Sequence, residues 1–332
     1  MVKNLHIAYF DLFPVRVSLM VPHREVLHLL TQVFHYFGWR SVDASVITDA
    51  SQTIRFYGSH RLQDKPQIPA QAQLVLENYG VRFYRQNHLV FAQWETSQLV
   101  VDTALDVVYA YLPLAQWGSL TRLSVSHLVM VMHGLLMLVR KRGLFPMHAA
   151  AVSNGETGFL LPAPGGQGKT TITLGLIEAG WRYLSDDSVL LVQQEDEVGM
   201  RPLRRTFAFT ENALQRVKEA VSLPQVKHEK WHVDIRKAFP AQAVERAIPR
   251  VLVLPEISDT TQSTLVPISK LEALHQVLEQ SALISLPSSL AQRHMQCISQ
   301  LLRQCQCYRL EAGQDIYHEP RLAADFLSSI SV

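Results

Sequence analysis

The stretch "FLLPAPGGQGKTT", Phe159 to Thr171, decides how the rest of this chain is read. A glycine, four residues and then Gly-Lys-Ser/Thr is the pattern of a loop that wraps phosphate oxygens. Ala163-Pro164-Gly165-Gly166-Gln167-Gly168-Lys169-Thr170 meets it everywhere except at the first position, where alanine stands for glycine. Gly165, Gly166 and Gly168 let backbone N–H groups turn inward with no Cβ in the way, and the positive end of a following helix adds to the attraction. Gln167 lies inside the same cradle. Lys169 then reaches the β- and γ-phosphates, and Thr170 offers its hydroxyl to Mg²⁺, with Thr171 as a second hydroxyl. The expected cofactors are ATP and Mg²⁺. The lysine is expected on a solvent-facing loop that supports no core.

Working outward, the loop stands where its mechanism requires. "HAAAV" and "GFLLPA" are apolar runs on either side of "SNGETG", whose Asn154-Gly155 signals a hairpin, so two antiparallel strands feed the loop. "KTTITLGLIEAG" follows as a short helix, with Ile172, Leu176 and Ile177 on one face and Gly180 as its stop. Next comes "WRYLSDDSVLLVQ", an apolar strand run interrupted by Ser185-Asp186-Asp187-Ser188. Two adjacent carboxylates are costly to bury unless a cation compensates, and a metal-bound nucleotide would supply one. A polar turn is the plain alternative. Successive strand residues point to opposite faces, so both aspartates serve one site only if the strand breaks there. Glu256, at the end of "RVLVLPE", is a competing carboxylate for Mg²⁺.

Downstream, "RVLVLPEI" reads as a buried strand, 270 to 282 and about 288 to 305 as helices, "CYRLEAG" as a strand, and "PRLAADFLSSI" as a closing helix. Upstream, residues 1 to 118 read as a smaller α+β domain. It has an early strand run in "HIAYFDLFPVRVSLM", a helix from about His23 to Phe37, and sheet in "GVRFYRQNHLVFAQW" and "QLVVDTALDVVYAYLP". The apolar run from 127 to 142 falls short of the ~20 residues that span a bilayer and contains His127, His133 and Gly134. It reads as a buried helix, capped by Ser124 or Ser126, ended by Gly143, and opening the second domain, 119 to 332.

Composition excludes more than it identifies. Of the 332 residues, 48% are hydrophobic and 18% charged, and the net charge of +2 gives no field for nucleic acid or an anionic membrane. Cys297, Cys305 and Cys307 are too few and too clustered for a disulfide framework, and no second Cys or His pair at ligand spacing joins Cys305 and Cys307. The N-terminus carries Asp11 within its first apolar run and does not read as a secretory signal. A reduced, cytoplasmic protein is the expectation, with a homo-oligomer left open.

The series "MHAAAVSNGETGFLLPA", "PGGQGKTT", "LIEAG" and "WRYLSDD" resembles the C-terminal catalytic domain of the HPr kinase/phosphorylase family. There, a His-containing strand precedes the phosphate loop and an Asp-Asp pair follows one helix later. The resemblance is specific over 144 to 192 and looser toward the C-terminus, where "CYRLEAGQDIYHEP" looks like the tail of HPr-kinase-related proteins from peptide-modification clusters. It does not cover 1 to 118. It implies an α/β fold related to ATP-type phosphoenolpyruvate carboxykinases. It also implies Asp186 as base for a substrate hydroxyl, Asp187 with Thr170 as holders of Mg²⁺, and His148 near the acidic pair. The family's downstream Glu and Arg-Gly signature is missing; "HEKWHVDIRK" stands in that region, which argues against phosphorylase activity and against HPr as substrate. Lys230, Arg236, Arg201, Arg204 and Arg205 are candidates for neutralising phosphate.

These observations lead to an expected Mg-ATP-dependent kinase acting on a serine hydroxyl of a peptide or protein, as the similar lasso-peptide kinases do, with residues 1–118 presenting the substrate. A free-serine type of small-molecule kinase and a non-catalytic nucleotide-binding regulator are the alternatives.

Overall fold

In the computed structural model, residues 5–12, 15–46, 53–59, 62–113, 125–209, 214, 217, 222–223, 231–281 and 289–331 are described. Lys230 and Ser124 lie outside them. The described residues divide into two compact units, one ending at Arg142 and the other starting at Gly143.

The first unit is one nine-stranded mixed sheet. Its strands are β1 (His6–Leu12), β2 (Val15–Val21), β3 (Arg40–Val42), β4 (Thr53–Ser59), β5 (Gln73–Asn78), β6 (Val81–Gln86), β7 (Leu89–Trp94), β8 (Ser97–Asp102) and β9 (Val107–Tyr111), in the order β3-β1-β2-β4-β9-β8-β7-β6-β5. Helix α1 (Arg24–Tyr36) buries the stripe Val26, Leu29, Leu30, Val33 and Phe34. It meets the sheet at Gly58, where a Cβ would come within 2.7 Å of Val21 and 3.1 Å of Leu30. Helix α2 (Val125–Val139) packs on the same face, because its Gly134 lies against Leu99 and Val101, and Leu99 pairs in register with Ala110 and so with Gly58.

Helix α2 thus belongs to the first unit, and the division of the chain falls at 142/143, not at 118. The physical reason is its apolar surface. Leu135, Leu138 and Val139 are fully buried, and the sheet of β6 to β9 is the large apolar face on offer in that unit.

The second unit is a three-layer α/β arrangement. Its strands are β10 (Leu144–Ser153), β11 (Gly158–Pro162), β12 (Arg182–Ser185), β13 (Ser188–Gln193), β14 (Val198–Pro202), β15 (Thr206–Phe209), β16 (Ser222–Leu223), β17 (Trp231–Asp234), β18 (Pro249–Ile257), β19 (Thr264–Pro267) and β20 (Gln306–Ala312). The main sheet runs β14-β13-β10-β11-β18-β20-β19, with β12 also on β10, while β15, β17 and β16 form a small sheet of their own. Alternate residues of the central strands feed two cores. Phe159, Leu161, Val251 and Val253 point to one face, Leu160, Leu252 and Leu254 to the other, so both faces are buried and these strands read as continuous apolar runs.

Helix α3 (Lys169–Glu178) lies on the first face with α6 (Gln314–His318) and α7 (Leu322–Ser328). Helices α4 (Lys270–Glu279) and α5 (Ser289–Gln304) cover the second. Gly175 lets α3 approach the chain just before α7: a Cβ there would overlap the Pro320 carbonyl and lie 2.6 Å from Pro320 Cβ. The three cysteines are buried and unpaired, and burial pushes the Cys297 and Cys305 thiols up to about 12, so they serve as core side chains. No helix among the described residues is long and apolar enough to cross a membrane.

Candidate nucleotide and phosphoryl-transfer site

The hairpin β10–β11 sets the site. Its strands pair from Ala149↔Pro162 to Ser153↔Gly158, joined by residues 154–157, where Asn154 Oδ1 accepts from the N–H groups of Glu156 and Thr157 at 3.1 and 2.8 Å. Because Ala149 faces Pro162, the preceding His148 arrives beside the loop that leaves β11. On its other edge β10 pairs with β13, His148 against Ser188, which brings the acidic pair to the same place.

The loop explains its own missing glycine. Gly166 and Gly168 have φ of 90° and 77°, the left-handed region that disfavours a side chain, whereas Ala163 does not adopt positive φ. Ala163 is fully buried, so its methyl fills core at the end of β11 without straining the backbone. Gly165 and Gly166 face open space, with nothing within 4 Å of an added Cβ. Gln167 anchors the far side of the loop, its Oε1 accepting from the N–H of Ile257 at 3.0 Å, at the carboxyl end of β18.

Lys169 is not on a solvent-facing loop. It is 6% exposed, and its Nζ donates to the carbonyls of Ala163 (2.6 Å) and Pro164 (2.9 Å) and lies 3.1 Å from His148 Nε2. An ammonium can only donate, so His148 Nε2 accepts and the ring proton sits on Nδ1. That nitrogen is 3.5 Å from Asp187 Oδ1. Lys169, His148 and Asp187 are therefore linked in series.

Strand β12 ends at Ser185 and β13 begins at Ser188, so the chain does break at the aspartates. Ser185 Oγ makes the turn by accepting from the N–H groups of Asp187 (3.3 Å) and Ser188 (3.1 Å). Asp186 has no exposed surface, and its Oδ2 accepts from Thr170 Oγ1 at 2.8 Å. Its Oδ1 is buried without a hydrogen bond and lies 3.6 Å from Arg204 Nη2. Asp187 is 27% exposed and takes a 2.6 Å bond from Ser188 Oγ and a 3.3 Å ion pair from the same Arg204 nitrogen. Thr170 thus meets Asp186, and His148 meets Asp187.

The two carboxyls are pushed apart electrostatically. Burial, with the neighbouring Asp187 charge, raises Asp186 above the usual carboxylate range, against the opposing pull of Arg204 and Thr170. Burial acts on Asp187 too, but Arg204 and the hydrogen bonds from His148 and Ser188 outweigh it and hold Asp187 well below that range.

Of the other basic candidates, Arg205 pairs with Glu245 at 2.8 Å and Arg236 with Asp234 at 2.6 Å. Arg204 alone of these three has an ion pair with the aspartates. Glu256 is exposed and paired with Arg309 at 3.4 Å, so it is Asp186 that meets the loop's threonine. Among the described residues no three His, Cys, Asp or Glu gather as a metal site. The set present still suits Mg²⁺, which takes one or two carboxylates and leaves its other positions to water and phosphate oxygens. Asp186, Asp187 and Thr170 are such oxygen donors, and the bare Asp186 Oδ1 is the atom a cation would satisfy.

No family model matches this chain, and no curated protein matches it. Among solved structures, the chain is similar to the Hpr(Ser) kinase/phosphatase from Coxiella burnetii at 12% identity and a TM-score of 0.30, over 55% of this chain and 94% of that one. The reading of the site rests on its own geometry.

Proposed function

We propose that the second unit is a Mg-ATP-dependent kinase that transfers the γ-phosphate to a serine hydroxyl of a peptide or protein. The observation that supports this most is the joining of two consecutive residues at the start of α3 to the two halves of the acidic pair. Lys169 reaches Asp187 through His148, and Thr170 reaches Asp186 directly. A phosphate loop and a carboxylate pair so connected can hold the phosphates and the acceptor hydroxyl side by side. The protein's contribution is positioning and charge stabilisation.

In this proposal the loop N–H groups of 165–170 cradle the phosphates, Lys169 neutralises them, and Mg²⁺ when bound offsets the charge that builds up on their oxygens. The family resemblance gives Asp186 the base and Asp187 the metal. The geometry favours the reverse division. Asp186 is sealed from solvent and bonded to the threonine that would share the metal, while Asp187 has open surface for a hydroxyl and is oriented by the Nδ1–H of His148. The first unit would present the peptide.

The test is a pair of variants, Asp186→Asn and Asp187→Asn, with Mg-ATP affinity and single-turnover transfer measured for each and products weighed by mass spectrometry against serine peptides and free serine. Loss of the base typically slows transfer ~10²–10⁴-fold. Asp187→Asn is expected to lose that much with ATP affinity kept, and Asp186→Asn to weaken Mg²⁺-dependent ATP binding as well. Parental transfer in Asp187→Asn restores Asp186 as base. ATP binding with transfer to no acceptor supports a regulatory nucleotide binder instead.

A further inference from the structure

Arg204 lies against both carboxylates of the acidic pair. It follows β14, and its position is fixed from behind, because the N–H groups of Leu203 and Arg204 both donate to the Ser188 carbonyl, at 2.9 and 3.2 Å. That anchor lies one residue beyond the acidic pair, and from it the side chain returns to place one nitrogen 3.6 Å from Asp186 Oδ1 and 3.3 Å from Asp187 Oδ2. One cation thus spans both carboxylates, one of them without exposed surface. Two like charges this close are held together only by a compensating positive charge.

The spacing is that of an ion pair and not of close hydrogen bonds. The Asp186 oxygen that faces Arg204 has no hydrogen bond, although it is buried. The guanidinium therefore balances the pair's charge without filling its coordination. A small cation taking oxygen ligands at roughly 2.0–2.1 Å would satisfy that oxygen, and the remaining Thr170 hydroxyl, far better. The same two carboxylates cannot lie against Arg204 and hold a divalent cation without a large rise in local positive charge.

We infer that Arg204 is a built-in counter-ion that competes with the divalent cation for the Asp186–Asp187 pair, keeping the pair folded and charge-balanced until metal displaces it. This deepens the reading of the site as one for Mg-nucleotide. Its consequence is that the free protein holds divalent metal weakly and that metal arrives with the nucleotide, whose phosphates supply the negative charge that Arg204 then faces.

The experiment uses the full chain, without nucleotide, and Mn²⁺ as the probe, at a pH of about 8, well above the ordinary carboxylate range. Arg204→Met and Arg204→Gln are expected to bind Mn²⁺ about tenfold or more tighter than the parent by calorimetry, since each tenfold corresponds to only 1.4 kcal/mol, within reach of one removed competing charge. Arg204→Lys, which keeps the charge, is expected to stay near the parent. Without metal, the neutral variants should unfold at lower temperature, and Mn²⁺ should raise their Tm by more than it raises the parent's. Asp186→Asn in the Arg204→Met background should abolish the gain.

Unchanged or weaker Mn²⁺ binding in both neutral variants overturns the inference, as does a gain that survives Asp186→Asn. The outcome is separable from the kinase reading. Tighter Mn²⁺ with no phosphate transfer in the parent keeps the competition and removes the kinase; active transfer with unaltered Mn²⁺ binding does the opposite.

Discussion

Replacing Lys169 by methionine tests the loop more sharply than the sequence motif alone suggests, because the lysine already has partners in the free protein. Its ammonium serves the Ala163 carbonyl, the Pro164 carbonyl and His148 Nε2. Pro164 is exposed, so water can replace the lysine there; Ala163 is fully buried, so its carbonyl would be left without that donor. An abandoned buried acceptor costs about 1–3 kcal/mol, so Lys169→Met should lower the stability of the second unit by about 2 kcal/mol. For nucleotide binding, a unit charge about 4 Å from a phosphate charge at an effective dielectric near 20 is worth about 4 kcal/mol. The ammonium must leave at least one of its present partners to make that contact, which offsets about half. The expected loss of Mg-ATP affinity is then about 2 kcal/mol, or roughly 30-fold, and not the full Coulombic value. Denaturant unfolding and calorimetric titration of the same preparation read the two effects. Unchanged stability refutes the role given to the Ala163 contact, and ATP affinity within about twofold of the parent removes the site.

Two further outcomes are expected. Gly175→Ala should destabilise the second unit despite the ~1 kcal/mol that alanine gains in a helix, because overpacking against Pro320 costs ~1–3 kcal/mol; an equal or higher midpoint in denaturant would show that 320 yields freely. The first unit should lose stability in mild acid. Burial lowers both His127 and His133 to about 4, so between the unfolded value of 6.5 and about 4 the unfolded chain binds more protons, and stability falls as pH drops through that window. The slope approaches roughly 1.4 kcal/mol per pH unit for each histidine, and His133→Gln should flatten it; a pH-independent unfolding free energy from 7 to 4.5 contradicts the assignment.

What could be read from the residues and what could not divide along a physical line. The hairpin, the loop, α3, β18, α5 and β20 were legible because each is written locally: period-two or helical apolar spacing, Asn154 at a turn, Gly180 after a helix, Gly166 and Gly168 where φ must be positive. Helix α2 was legible as a helix but not as part of the first unit, since which sheet covers an apolar stripe is not recorded in the stripe. Its partners Leu99 and Val101 come about 30 residues earlier in the chain.

The site shows the same limit at closer range. Lys169, Thr170, Asp186, Asp187 and His148 could be picked out by type and order, yet the pairing of Thr170 with Asp186 and of His148 with Asp187 follows from the register of β10 on β11 and β13 and from a turn closed by Ser185. The burial of Lys169 follows from carbonyls that direct inward at the end of β11, which no side-chain pattern reports. Arg204 stood out only as one of three neighbouring arginines. What selects it over Arg201 and Arg205 is the Ser188 carbonyl that accepts from its own N–H and its neighbour's, turning the chain back over the aspartates, while Arg205 is drawn off to Glu245. The one sequence signal for such a partner was the cost of the acidic pair itself. Two adjacent carboxylates inside an apolar run require a cation, and in the absence of metal a nearby arginine is the group able to provide it. The pair proposed to hold Mg²⁺ is therefore also what requires Arg204, which is why the two cations are expected to exclude each other.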